Sequence, residues 1–374
     1  MIPREVFLET IGEFLEPIKP LLDDPTVADI MINGPDKIYA ERRGNVEYTG
    51  LRFESREALE SALRNVAQYA GRVVDRDRPI LEGRLPDGSR IEAVFPPIAP
   101  EGPSVSIRRF FKETLDVARL IRFGAMTEEV AAFLEALVGS KNNVVIAGGT
   151  GSGKTSMLNA ISNFIPEGER VVTIEDAREL QLQREHVVPL EARPADAKGK
   201  GGISIRDLFK ATLRLRPDRI VVGEIRGGEA LDMIQAMTSG HGGCMATLHA
   251  TYPSDTITRL ETMSMMSDVQ MPLLALRKQL ASAINIILQV SRLPDGSRKV
   301  THVTEVCGFD SERSEYQMND LWILQYDEHG GGRPPQIVPT GILPQCLPAI
   351  RAHGYDIPQV MYQAAREASA LGGG

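Results

Sequence analysis

Eight consecutive residues, Gly148-Gly149-Thr150-Gly151-Ser152-Gly153-Lys154-Thr155, satisfy the pattern G-x-x-x-x-G-K-[ST] at every fixed position. Each residue type in it answers to a phosphate. Glycines let the backbone bend around a polyphosphate and turn its N–H groups inward. A lysine brings full charge to the β- and γ-phosphates, and the hydroxyl after it suits Mg2+. The pattern predicts that Gly148, Gly149, Thr150, Gly151, Ser152, Gly153, Lys154, Thr155 and the adjacent Ser156 hold ATP, with Thr155 as a ligand of Mg2+. Two further acids stand where such a site would use them. Glu175, beside Asp176, follows the apolar run Val171–Ile174, and Glu224 follows Ile220–Gly223. Carboxylates at two strand tips beside a phosphate loop make a hydrolytic pair: one orients or deprotonates the attacking water, the other holds Mg2+ directly or through water.

His249 ends another apolar run, Met245–Leu248, and could sense the γ-phosphate or couple it to a neighbouring subunit; His241 precedes the same run. Arginine suits a γ-phosphate because its planar fork donates bidentately and stays charged. The candidates are Arg84, Arg90, Arg108 and Arg109 in the first third of the chain, and Arg206, Arg214, Arg216 and Arg219 ahead of Glu224. Of these Arg206, Arg214 and Arg109 are possible contacts, although a surface ion pair is the better account of any single one of them.

Elements of particular kinds must position these groups. Val144–Ala147 is an apolar, β-branched run, as a strand buried on both faces requires. After the loop, Met157, Leu158, Ala160 and Ile161 recur at helical spacing. From there strands (171–174, 220–222, 245–249) alternate with helices (204–215, 228–239, 254–263, 272–284), which predicts a parallel sheet covered on both faces with its ligand at the strands' carboxyl ends. A hairpin is expected over 286–306. Helix 4–16, ended by Pro17, two strands about Asn33-Gly34-Pro35, helix 55–69 capped by Ser55, a hairpin over 81–91 and strand 104–108 describe a smaller α+β domain. The fold class is therefore α/β, a RecA-like P-loop NTPase domain preceded by that α+β domain: residues 1–112, a linker over 113–124, then 125–374, with a helical and hairpin extension at the end. Residues 195–202 read as a mobile loop, the region after Asp327 as loop-rich, with 330–335 poorly structured, 357–370 as a last helix and 372–374 as frayed. The hexapeptide Leu-Pro-Asp-Gly-Ser-Arg occurs at 85–90 and at 293–298, one turn chemistry used twice.

Bulk properties narrow the function classes. With 374 residues there is room for two cores, and a net charge of −8 with 5% aromatic residues argues against a nucleic-acid channel lined by bases' stacking partners. The three cysteines, Cys244, Cys307 and Cys346, form no C-x-x-C pair, so neither structural zinc nor a disulfide framework is expected. No apolar run reaches membrane-spanning length and no signal peptide opens the chain, so any membrane link is expected to run through a partner.

Together these residues resemble the secretion ATPase superfamily of type II and type IV secretion and type IV pili. The four boxes of that superfamily read here as Gly148–Thr155, Thr173-Ile174-Glu175-Asp176, Leu215 to Arg226, and Gly240-His241 through Thr247-Leu248-His249-Ala250. Met31-Ile32-Asn33-Gly34, Glu41-Arg42-Arg43-Gly44, Arg259-Leu260-Glu261-Thr262-Met263 and Thr301 to Val306 look most like the CpaF-type branch of Tad/Flp pilus motors. The resemblance implies a homohexameric ring, nucleotide held between two domains, and domain rotation that drives pilin insertion or extraction through an inner-membrane platform protein. It would place the chain in the cytoplasm at the inner membrane, touching the membrane only through partners, with no direct nucleic acid. On it Glu175 matches the catalytic glutamate and Glu224 the Walker B acid that attends Mg2+, while Arg90 and Arg108 would reach the phosphates. The chain departs from the pattern in two places. It starts nearly at the α+β domain, without the extra leading segment usual in that branch. Its His box reads Gly242-Gly243-Cys244-Met245-Ala246-Thr247, where Cys244 and Ala246 replace hydroxyl residues and put the box's hydrogen bonding in doubt. The tetracysteine of type II motors is absent. A RecA-like nucleic-acid translocase or helicase is the alternative, and a small-molecule kinase a more distant one.

Overall fold

The computed structural model describes residues 11–42, 44–110, 115–195, 199–326 and 334–371. The chain divides into two compact units, Met1–Glu113 with Ala195–Gly201, and Thr114–Pro194 with Gly202–Gly374.

The first unit is a six-stranded antiparallel sheet with one long helix. Its strands are β1 (Val27–Asn33), β2 (Ile38–Arg42), β3 (Asn45–Tyr48), β4 (Ile80–Arg84), β5 (Arg90–Val94) and β6 (Ser104–Arg108), in the order β3-β2-β1-β6-β5-β4. A short helix α1 (Lys19–Asp23) leads into it. Helix α2 (Arg56–Tyr69) starts at Ser55, whose side chain accepts from the Ala58 N–H, and buries Leu59, Leu63 and Val66 with Ile30, Ile32 and Ile91 of the sheet. The expected first helix, 4–16, falls partly outside the described residues. Residues 11–14 are helical, and Pro17 sits within a 3-10 turn (Glu16–Ile18) that runs on into α1, where an end was expected. Proline is tolerated there because the first turn leaves its N–H unused.

The second unit carries the phosphate loop. Its strands are β7 (Val144–Gly148), β8 (Val171–Glu175), β9 (Val187–Glu191), β10 (Arg219–Val222), β11 (Met245–Leu248), β12 (Ile286–Arg292), β13 (Arg298–Asp310), β14 (Glu315–Gln325) and β15 (Gln336–Pro339). They lie in the order β15-β14-β13-β12-β7-β11-β10-β8-β9, parallel from β12 to β9 and antiparallel from β12 to β15. The sheet is thus mixed: β7, β8, β10 and β11 run parallel as expected, the hairpin expected over 286–306 is β12–β13, and β14 and β15 extend it. Along β7 the side chains alternate between two cores: Val144 and Ile146 in one, Val145 and Ala147 in the other. A strand in which every residue is buried reads as an unbroken apolar run for that reason.

Two layers of helix supply those cores. On one face lie α3 (Val117–Arg122), α4 (Glu128–Gly139) and α5 (Lys154–Ser162). On the other lie α6 (Ile205–Thr212), α7 (Glu229–Thr238), α8 (Pro253–Met265) and α9 (Leu273–Ala283). Two more helices, α10 (Leu347–Ala352) and α11 (Gln359–Leu371), follow the hairpin β13–β14. Helix α3 sits in the stretch read as a linker; Asp116 caps it, accepting from the Arg119 N–H at 2.7 Å, and Leu120 is buried. Much of the rest expected to be loose, 196–198, 327–333 and 372–374, lies outside the described residues.

Candidate active site

The phosphate loop is shaped by close approach. A Cβ on Gly148 would overlap the Ser152 hydroxyl and the Val290 carbonyl, so β7 can turn into the loop only through glycine there. Ser152 then ties the loop, donating to the Gly149 carbonyl at 2.9 Å. Gly149, Thr150 and Gly151 are exposed, whereas Gly153, Thr155 and Ser156 are half-buried around the first turn of α5. That helix offers amides without intrahelical partners and the positive end of its dipole to whatever the loop holds. Lys154 is 8% exposed and donates to the Gly149 carbonyl at 2.9 Å.

From Lys154 a chain of polar contacts crosses the strand tips. Both ring nitrogens of His249 lie 3.4 Å from Lys154 Nζ. His249 Nε2 is 2.9 Å from Glu224 Oε1, and Glu224 Oε2 accepts from Arg226 Nη2 at 2.7 Å. Arg226 Nη1 is 3.5 Å from Asp176 Oδ2. Burial first, and then the ammonium of Lys154, hold the His249 pKa below its ordinary 6.5, with Glu224 pulling the other way. The ring is therefore neutral at pH 7. Donating from Nε2 to the carboxylate, it keeps Nδ1 as an acceptor for the lysine, the tautomer this network selects.

Glu175 ends β8, next to β10, and is more deeply set than Glu224. It is 3% exposed, and Oε1 accepts from the N–H groups of Glu179 and Leu180, both at 2.8 Å. Among the described residues Oε2 has no hydrogen-bond partner, although it is buried. Burial raises its pKa to about 7 against the pull of the two amides, helped by the charges of Glu179 and Glu191. The side chain lies against Gly223, the residue before Glu224: a Cβ there would stand 2.8 Å from Glu175 Cγ. Thr247 holds the same residue from the other side, its hydroxyl donating to the Gly223 carbonyl at 2.5 Å. In the His box Ala246 is wholly buried in the apolar core and Cys244 donates from Sγ to the His241 carbonyl at 3.0 Å, while His241 Nδ1 is buried with no partner among the described residues.

Other candidates within the second unit lie elsewhere. His241 precedes β11 and His249 follows it, so the four-residue strand separates them by about 13 Å. Arg214 is exposed after α6, on the side where β10 begins, while Glu224 follows that strand's other end. Arg206 is engaged by Asp232 at 2.8 Å and Asp268 at 2.7 Å. Arg219 is buried against Glu169. In the first unit Arg90 and Arg108 face each other across β5 and β6, with Arg108 donating to Asp29 at 3.2 Å, and Arg109 donates to the Leu21 carbonyl at 2.7 Å. Two residues of the loop region carried no role in the sequence reading. Arg226 is described above. Arg298, at the start of β13, donates from Nε to the Gly151 carbonyl at 2.8 Å. The signal for Arg298 was the second copy of the repeated hexapeptide, which ends on it as the first copy ends on Arg90.

The site's hard oxygens, the Thr155 hydroxyl and the Glu224 carboxylate, are the donor types that Mg2+ takes. The chain matches the family described as Type II/IV secretion system protein over residues 13–319. It is similar to the type IV secretion system protein VirB11 of Brucella suis biovar 1, 31% identical over 337 residues, covering 82% of this chain and 93% of that protein. It is also similar to the conjugal transfer protein TrbB of Rhizobium radiobacter, 33% identical over 313 residues, covering 82% and 92%. Among solved structures, the ATPase DotB of Legionella pneumophila shares the fold, with a TM-score of 0.55 at 21% identity and 81% of each chain covered. Matched by the family over residues 13–319 and more than 30% identical to two relatives along most of their length, the chain belongs to the type II/IV secretion system family.

Proposed function

We propose that the protein hydrolyses ATP and spends the energy on mechanical work, as a homohexameric motor for a pilus or a secretion machine. The observation that carries this reading is the unbroken chain Lys154–His249–Glu224 at the mouth of the phosphate loop, with Glu175 on the adjacent strand. Lys154 and the loop amides would bind the β- and γ-phosphates and stabilise charge on the leaving oxygen. Thr155 and Glu224 would hold Mg2+, which supplies charge neutralisation across the phosphates. Glu175 Oε2, the oxygen with no donor among the described residues, would take the proton of the attacking water. A carboxyl with a pKa near 7 is well matched to that task at neutral pH. His249, neutral and between Lys154 and Glu224, would report the state of the phosphate site to β11.

The names borne by the relatives, type IV secretion and conjugal transfer, support a role in moving macromolecules across the cell envelope. The stretches 31–34, 41–44, 259–263 and 301–306 favour a Tad/Flp-type pilus motor within that class. No helix among the described residues is long and apolar enough to cross a membrane, which fits a motor recruited to the cytoplasmic face of the inner membrane by a platform protein. Native mass measurement with and without Mg·ATP, paired with a phosphate-release assay, tests the reading. A sixfold assembly that turns over ATP is expected; a monomer without turnover would overturn it, and turnover raised only by DNA would favour a translocase.

A further inference from the structure

The charged groups of the site satisfy one another. Each carboxylate oxygen of Glu224 is engaged, Oε1 by His249 and Oε2 by Arg226. Arg226 is built differently from its neighbours. Its backbone is fixed, because its own N–H and that of Gly227 both donate to Oε1 of the buried Glu229, at 2.7 and 2.9 Å. Its side chain is 52% exposed and spans two acids on neighbouring strand tips, Glu224 through Nη2 and Asp176 through Nη1. A fixed root with a long, solvated, two-partner head is a group that can exchange one partner for the other at low cost.

We propose that Arg226 is a counter-cation standing in for the divalent ion at Glu224. While the guanidinium holds Oε2, that oxygen is not free to ligate metal; Mg2+ arriving with nucleotide competes with it, and Asp176 retains the displaced arginine. Arg226 is thus a positioning residue that sets how much Mg2+ the site requires. The inference rests on the reading of Glu224 as the acid that holds Mg2+.

The test is a Mg2+ titration of the full-length chain with a fluorescent, non-hydrolysable ATP analogue, reading the Mg2+ concentration at half-maximal binding. Arg226→Gln should lower it about fivefold, the scale of a part-exposed ion pair. Arg226→Lys, which keeps the charge, should stay near wild type. Asp176→Asn should raise it in the wild-type background and leave it unchanged in the Arg226→Gln background. Glu224→Gln should raise it strongly. If Glu224→Gln raises the requirement and Arg226→Gln leaves it equal or higher, Arg226 is not a stand-in and only this inference falls. If Glu224→Gln changes nothing, the metal role of Glu224 falls and takes this inference with it. Loss of analogue affinity in Arg226→Gln at every Mg2+ concentration would show a direct phosphate contact and overturn the proposal.

Discussion

In its proposed role Glu175 is under two opposing demands, since a buried carboxyl is most stable neutral and a base must be ionised. With its pKa moved from 4.5 to about 7, the folded protein holds a proton that the unfolded chain has lost. The stabilisation is therefore complete below about pH 4.5 and is lost as pH rises through 7, by about 3 kcal/mol. Urea midpoints of wild type against Glu175→Gln across pH 5 to 8 should show this slope in the wild type alone, while wild-type hydrolysis rises over the same interval. Gly223→Ala would press a methyl onto Glu175 Cγ; we expect turnover to fall at least about tenfold with ATP affinity held within about twofold, read by phosphate release and analogue titration. Arg298→Ala removes a donor from the loop's Gly151 carbonyl and should weaken ATP binding several-fold, measured with the same analogue. At this scale the sequence was legible where spacing is short: the loop, Glu224 and His249 could be named as candidates because each follows an apolar run, and the structure brings Lys154, His249 and Glu224 into contact. Arg298 was opaque because the carbonyl it touches lies 147 residues away, and Arg226, two residues from Glu224, because its second acid, Asp176, follows another strand. The depth of Glu175 was hidden too, since no pattern encodes the amides of Glu179 and Leu180 closing over one oxygen.

Elements were legible in proportion to how uniformly they are buried. The strands β7, β8, β10 and β11 are buried throughout, and their apolar runs located them to within a residue or so. Strand β14 is largely half-exposed, so no period of two survives in its sequence, and β13, read only as far as Val306, runs on through bulges against β14 to Asp310. Strand β9 lies at the sheet edge and holds Pro189, which an edge tolerates but which argues against a strand on sequence alone. Helix α3 is too short for its period to show. One side chain pins the late elements to the sheet: Glu305 of β13, 3% exposed, accepts from the N–H groups of Gln345 and Cys346 at 2.7 and 2.8 Å, just before α10. Glu305→Ala would strand both donors. We expect a loss of about 3 kcal/mol in global stability and faster amide exchange over 345–371, read by denaturation and hydrogen exchange.

For the whole molecule, each unit has its own apolar core, and in the second the alternation of apolar runs with helical periods pointed to the parallel strands, while β14 and β15 extend the sheet beyond what was read. What a ring would bury between subunits has no signature within one chain, so assembly is a matter for measurement. Mg·ATP should favour the sixfold species, and Lys154→Ala, which removes the charge nearest the loop's Gly149 carbonyl, should abolish turnover in any assembly state. In the proposed chemistry Glu175 acts on the attacking water and not on nucleotide binding. The most direct measurement is therefore the pair of ATP affinity and steady-state phosphate release for Glu175→Gln beside wild type. The account predicts affinity within about threefold and release lowered at least about a hundredfold. Release near the wild-type rate, or affinity and release lost together, would contradict it.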